Sequence, residues 1–256
     1  MKINSYIFLF LTFPVSLLFA QKKEDWNYSS KWQLNPSVVY DMPLTKINNG
    51  TITDNFIGYA NKNTVYSQLP TIVHFFDKHW GIEAKYQLGI TSTNRSFSDS
   101  VQAAYQDRYY VFSSNQNNNS NYLKQRLLVG AVYRIEKNRF FVYPKLSLGY
   151  TSFPIDNGSA ILKEMNANTM LKINYSPNTS NVYSLTIAPT VTAGFKVTKH
   201  LFFSADVMPS YYKPNVTFIK TTTDLSTNQN TVEKIHYNKG IFALSLGASI
   251  VFAMGR

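Results

Sequence analysis

The stretch YSLTIAPTVTAGFKVTKHLFFSADVMPSYY, residues 183–212, decides the fold. Its first half alternates with a period of two. One face carries Leu185, Ile187, Pro189, Val191, Ala193 and Phe195; the other carries Ser184, Thr186, Ala188, Thr190, Thr192, Gly194 and Lys196. That spacing puts all the apolar groups on one side of a β-strand. Thr198-Lys199-His200 allows only a tight turn before a second extended run begins, so the whole reads as a β-hairpin.

The same pattern recurs along the chain. Ile82, Ala84, Tyr86, Leu88 and Ile90 alternate with Glu83, Lys85, Gln87, Gly89 and Thr91. Phe140, Val142, Pro144, Leu146, Leu148 and Tyr150 alternate with Phe141, Tyr143, Lys145, Ser147, Gly149 and Thr151. Near the C-terminus Phe242, Leu244, Leu246, Ala248, Ile250 and Phe252 alternate with Ala243, Ser245, Gly247, Ser249 and Val251. Eight such segments are expected, near 31–41, 66–76, 80–92, 122–135, 139–152, 182–197, 200–213 and 237–253. In LPTIVHFF of the second, the phase leaves two assignments open, with Pro70, Ile72 and His74 outward or Leu69, Val73 and Phe75 outward.

Connections alternate between tight turns, at Asp77-Lys78-His79, Glu136-Lys137-Asn138 and Thr198-Lys199-His200, and long polar stretches at 41–66, 93–121, 153–181 and 213–236. SSNQNNNSN, within the second of these, reads as a solvated loop tip. Short turns at one end and long loops at the other predict an all-β, eight-stranded antiparallel up-and-down transmembrane barrel. A soluble barrel also alternates, but turns its apolar face inward. Here the other face is rich in Ser, Thr and glycines (Gly89, Gly130, Gly149, Gly194, Gly247), which suit a narrow interior.

The apolar face ends in aromatics. Trp32, Trp80, Tyr133, Phe140, Phe195 and Phe252 lie toward the short turns; Tyr40, Tyr150, Tyr183, Tyr211 and Phe242 lie toward the long loops. Two such girdles around an aliphatic band face lipid in outer-membrane barrels. Pro36, Pro70, Pro144, Pro189 and Pro209 fall inside the segments, where a closed barrel has no free edge to absorb them, so bulges or interrupted pairing are expected there. Pro189 and Pro209 lie equally far from Lys199 and so face each other.

At the N-terminus, 1–20 (MKINSYIFLFLTFPVSLLFA) has the basic start and apolar run of a secretory signal, and QKKED follows. The expected organisation is a signal at 1–20, a periplasmic tail at 21–30 and the barrel over 31–256. The absence of cysteine excludes disulfides, thiolate metal sites and a cysteine nucleophile. The net charge of +11 on 256 residues forms no basic stripe with interleaved stacking aromatics, so nucleic acid is not implied.

These features, with the hairpins YRIEKNRFFVYPKLSLGY and FKVTKHLFFSADVMPSYY and the terminal strand GIFALSLGASIVF, resemble the small OmpA/OmpX-type outer-membrane barrels of Gram-negative bacteria over residues 31–253. The resemblance implies a monomer in outer-membrane lipid with both termini periplasmic. Such barrels commonly end on an aromatic residue, whereas here Ala253-Met254-Gly255-Arg256 follows Phe252.

Inward-facing charges are Glu83, Lys85, Lys124, Arg126, Arg134, Lys145, Lys196 and Asp206, six basic and two acidic. Glu83, Lys85, Lys145 and Asp206 fall at similar heights and are expected to form a network, while Lys124 and Arg126 sit nearer the long-loop mouth, open to phosphate or sugar groups. The first functional expectation is a non-enzymatic barrel with an envelope-structural or surface-interaction role, its long loops meeting glycan or protein ligands. The second is a small transport or secretion-accessory barrel with a gated, weakly anion-favouring lumen. The third is a lipid A-modifying enzyme, which would need His236 or another of the four histidines beside a Ser and an acid. No HExxH or acidic Ca-loop pattern is present, so neither catalytic residues, a metal nor a cofactor is expected.

Overall fold

Across the turn at 197–200, Phe195 pairs with Phe203 and Gly194 with Ser204, closing the hairpin expected over 183–212. The structure, a computed structural model, describes residues 30–45, 52–57, 62–91, 97–116 and 122–255; the expected signal and the tail to residue 29 lie outside them. In chain order the elements are β1 (Trp32–Pro43), α1 (Ile52–Phe56), β2 (Thr64–Phe75), β3 (Trp80–Thr91), α2 (Phe97–Tyr105), β4 (Tyr109–Gln116), β5 (Tyr122–Tyr133), β6 (Ile135–Lys137), β7 (Phe140–Pro154), β8 (Gly158–Glu164), β9 (Met170–Pro177), β10 (Asn181–Lys196), β11 (Leu201–Tyr212), β12 (Val216–Asp224), β13 (Asn230–Tyr237) and β14 (Ile241–Met254).

Eight strands close a barrel in the order β1-β2-β3-β5-β7-β10-β11-β14, all neighbours antiparallel, with β1 pairing β14 from Trp32↔Met254 to Pro43↔Ala243. They are the eight expected segments, within a few residues at each end. β6 extends the tight turn after β5 and pairs only with β7.

Burial follows the alternation. On β10, Ser184, Thr186, Ala188, Thr190 and Thr192 are buried in the lumen, while Tyr183, Leu185, Ile187 and Val191 are exposed. On β7, Leu146, Leu148 and Tyr150 are each more than half exposed. A continuous aliphatic belt around all eight strands is far larger than a soluble monomer leaves in water, and it marks the lipid face. A strand of 12 residues, tilted as in such barrels, rises roughly 25–30 Å and so spans the apolar band.

The prolines act locally. Between Asn35/Thr71 and Ser37/Gln68 the β1–β2 register shifts, because Leu69 and Pro70 on β2 oppose Pro36 alone. Both bulged residues are exposed. Of the two assignments left open for LPTIVHFF, the structure takes the one with Pro70, Ile72 and His74 outward. Gln68 and Val73 are both buried, so the phase changes at the bulge, and below it Val73 and Phe75 point inward while Ile72 and His74 point out. Between β10 and β11 the ladder pairs Ile187↔Tyr211 and Val191↔Val207 and is interrupted between them, where Pro189 sits opposite Pro209.

Among the described residues, three of the four long connections carry strands, where the sequence reading placed polar loops. The second, third and fourth supply β4, then β8 and β9, then β12 and β13. These form a separate five-stranded antiparallel sheet, ordered β13-β12-β9-β8-β4. Even Ser113–Gln116 of the Asn-rich stretch is strand, paired with β8. Phe56 of α1, Phe97 and Val101 of α2, and Leu162, Ile173, Tyr175, Val216 and Phe218 of the sheet form one apolar cluster. That cluster also contains Phe153, Val182, Tyr212 and Ile241, which belong to the barrel rim. The sheet and helices are therefore a cap seated on the barrel mouth. Phe56 is its hub, with ring centroids 5.4 Å from Phe97, 5.8 Å from Tyr175 and 5.6 Å from Phe218.

Candidate functional site

The lumen is filled in three layers. In the layer nearest the cap, Asp41 of β1 lies 3.3 Å from the Lys124 Nζ and 3.4 Å from an Arg126 nitrogen, and Ser245 donates to it. All three charged side chains are buried. Arg126 also reaches Thr151 and Gln87, and its guanidinium lies 5.0 Å from the Tyr66 ring centroid. The expectation that Lys124 and Arg126 stand open to phosphate or sugar is corrected: both are buried, both pair with the one Asp41 carboxylate, and the rings of Tyr66 and Tyr212 cover them. The sequence reading placed Asp41 at a loop boundary. Its phase with Asn35, Ser37 and Val39 was the signal that would have turned it inward.

In the middle layer Glu83 bridges Lys85 at 2.9 Å and Lys145 at 3.0 Å and accepts from Ser147 at 2.6 Å. Asp206 lines the same small cavity, of about 20 Å³, but its hydrogen bond comes from Thr192. Gln87 donates to Gln68 at 2.7 Å, which ties this layer to the β1–β2 bulge. Gly89 abuts the upper layer: a Cβ there would come within 2.6 Å of the Tyr66 ring.

The layer at the short-turn end is apolar. Val73, Phe75, Val132, Phe141, Tyr143, Phe202, Val251 and Ala253 close it. Lys196 pairs with Glu136 at 2.6 Å, and Tyr143 donates to the same carboxylate. Arg134 stacks on Phe75 and donates to the Ser30 carbonyl at 2.9 Å. Ser30, the last residue of the expected periplasmic tail, is buried in this plug. Counting Asp41 and Glu136, the described lumen groups are six basic and four acidic, so the predicted anion-favouring excess is halved.

The aromatic residues sit at the two rims as cross-strand pairs. Trp80 faces Tyr133 at 4.9 Å, Phe140 faces Phe195 at 5.3 Å and Tyr211 faces Phe242 at 4.6 Å. Trp32 packs on His74 at 4.1 Å. Tyr40, Tyr150, Tyr183 and Phe252 are likewise exposed on the outer surface. Polarisable rings at both ends of an aliphatic belt anchor a barrel at the headgroup level.

The cap has an inner and an outer face. On the inner face Lys220 pairs with Glu233 at 3.0 Å; partial burial works against the ammonium, but the carboxylate outweighs it and raises the pKa of Lys220. Arg108 reaches Glu164 at 2.7 Å, and that hydrogen bond holds the carboxyl below its ordinary value. On β4, Gln102 of α2 accepts from the Val111 N–H at 2.8 Å and donates to the Tyr109 carbonyl, standing in for a sixth strand. The outer face runs in mostly polar cross-strand rows, each with one aliphatic residue. One is Asn115-Ser159-Asn174-Thr221-Val232 and the next Ser113-Ile161-Lys172-Thr223-Asn230. His236 is in β13 on this face, its Nδ1 2.9 Å from the Thr217 hydroxyl, away from the lipid boundary that acyl chemistry would need. Among the described residues no group of His, Asp or Glu is arranged to hold a metal.

No protein-family model matches the chain. No curated protein matches it in sequence. In structure it is similar to Ail, the attachment invasion locus protein of Yersinia pestis, at 10% identity and a TM-score of 0.38, covering 88% of this chain and 100% of that one. A major outer membrane protein from Thermus thermophilus follows at 12% identity and TM-score 0.40, covering 86% of this chain and 99% of that one. The outer membrane protein AlkL, solved in DMPC bilayers, stands at 14% identity and TM-score 0.35, covering 93% and 97%. The fold rests on the closed ladder and its lipid-facing belt: this chain is a small eight-stranded barrel of the outer-membrane type.

Proposed function

We propose that the protein is a closed, non-enzymatic outer-membrane barrel that serves as a rigid base for a folded surface-interaction module, with its termini periplasmic and its cap outside the cell. The observation that carries this is the cap itself. Three long connections contribute strands to one sheet, whose core is continuous with the barrel rim. Loops that were only spacers would gain nothing from a shared apolar core, because ordering them costs roughly 1–2 kcal/mol per residue in backbone entropy. Function on a rigid barrel concentrates in such connections. The runner-up, a gated anion path, is disfavoured by apolar clusters at both ends of the lumen and by the ion pairing of the buried charges between them.

The chain has no cysteine, so Asn230→Cys places a single thiol on the outer face of β13. Labelling by a membrane-impermeant maleimide on intact cells supports the orientation; labelling only after lysis overturns it. Cell attachment that disappears when 93–121 is removed, in a barrel that keeps its heat-modifiable gel mobility, supports the interaction role. Undiminished attachment overturns it.

A further inference from the structure

We infer that the outer face of the cap carries a binding groove for an uncharged oligosaccharide, an assignment that rests on the surface-interaction reading. The groove, of about 270 Å³, is lined by Asn115, Asn157, Gly158, Ser159 and Asn174. That is near the lower end of small-ligand sites. Asn115, Ser159 and Asn174 stand directly opposite one another on β4, β8 and β9. Adjacent strands therefore hold them in a row at steps of ~4.8 Å.

Every lining side chain is uncharged, and each polar one both donates and accepts: the amides through NH₂ and C=O, the serine through its hydroxyl. Vicinal sugar hydroxyls have the same dual character. The lining offers no apolar wall for a hydrophobic ligand and no fixed charge for an ionic one. Gly158 leaves bare backbone in the floor, since its Cβ position is taken from below by Phe97 at 3.0 Å and Phe56 at 3.1 Å. The apolar core thus fixes the floor, and all the lining residues except Asn157 stand on paired strands, so little ordering cost remains for binding.

The test uses full-length protein in detergent micelles, titrated with maltotetraose, chitotetraose and a heparin tetrasaccharide. Binding of either neutral probe is expected, unchanged between about 0.05 and about 0.5 M salt because no ion pair is involved. Asn115→Ala/Asn174→Ala should weaken it ~10-fold or more while the fold, read by gel mobility, is kept. Failure of both neutral probes, or equal affinity of the double variant, overturns the groove. Binding of the heparin tetrasaccharide alone, abolished by salt, also overturns it, yet leaves the interaction module standing. Loss of the module itself would show in the attachment experiment.

Discussion

Asp41 is one carboxylate between two buried cations, and its removal separates a structural lumen from an open one. In Asp41→Asn, Lys124 and Arg126 lose their counter-charge in a nearly dry interior, and urea unfolding in vesicles should fall by about 3–5 kcal/mol. Adding Lys124→Met should recover part of the loss. A fall below ~1 kcal/mol, as for a solvated pair, would show that water reaches this layer. A second carboxylate works in the turn between β2 and β3. Asp77 accepts the Trp80 and His79 N–H groups, both at 2.6 Å, and those bonds hold its pKa below the ordinary 3.8. Its contribution to the hairpin is therefore present above about pH 4 and fades as pH drops through the lower folded value. Carboxyl NMR of Asp77 should titrate below 3.8, and Asp77→Asn should remove that part of the acid sensitivity. At this scale the sequence was half legible. Glu83, Lys85 and Lys145 could be placed together because each sits in clear alternation. Asp41 and Glu136 could not, because each lies where a strand meets a connection.

The barrel strands were readable because a lipid belt demands strict alternation over 12 residues or more. The cap strands have 7 to 9 residues, as in β8 and β12, and what they bury is supplied by other connections. Phe218 meets Phe56 and Ile173 meets Ala160, contacts that no local pattern announces. Prolines were legible as disturbances, and opposing Pro189 and Pro209 do interrupt the ladder. Replacing both by valine restores two donors, each bond worth about 0.5–1.5 kcal/mol. Amide exchange at Ala188, Thr190, Met208 and Ser210 should slow in the double variant. Unchanged exchange would mean that the gap has a cause other than the missing N–H groups.

For the molecule as a whole, two ionic lumen layers closed by the cap core at one end and an apolar layer at the other predict an insulator. In planar bilayers no resolvable conductance steps are expected, and steps of constant size would show that both plugs open together. The discontinuity of the cap bears on the time order of assembly. Its strands arrive in pairs or singly from three connections, and β8 cannot complete its ladder until β4 and β9 are both beside it. With the cap outside the cell, as proposed, each connection crosses the bilayer as unpaired chain, and the three can meet only after the hairpins beneath them are aligned. Refolding into vesicles should register barrel closure first and burial of Phe56 and Phe218 last. The cap then acts as a latch: once its core has set, the connections cannot be drawn back across the membrane without unfolding it.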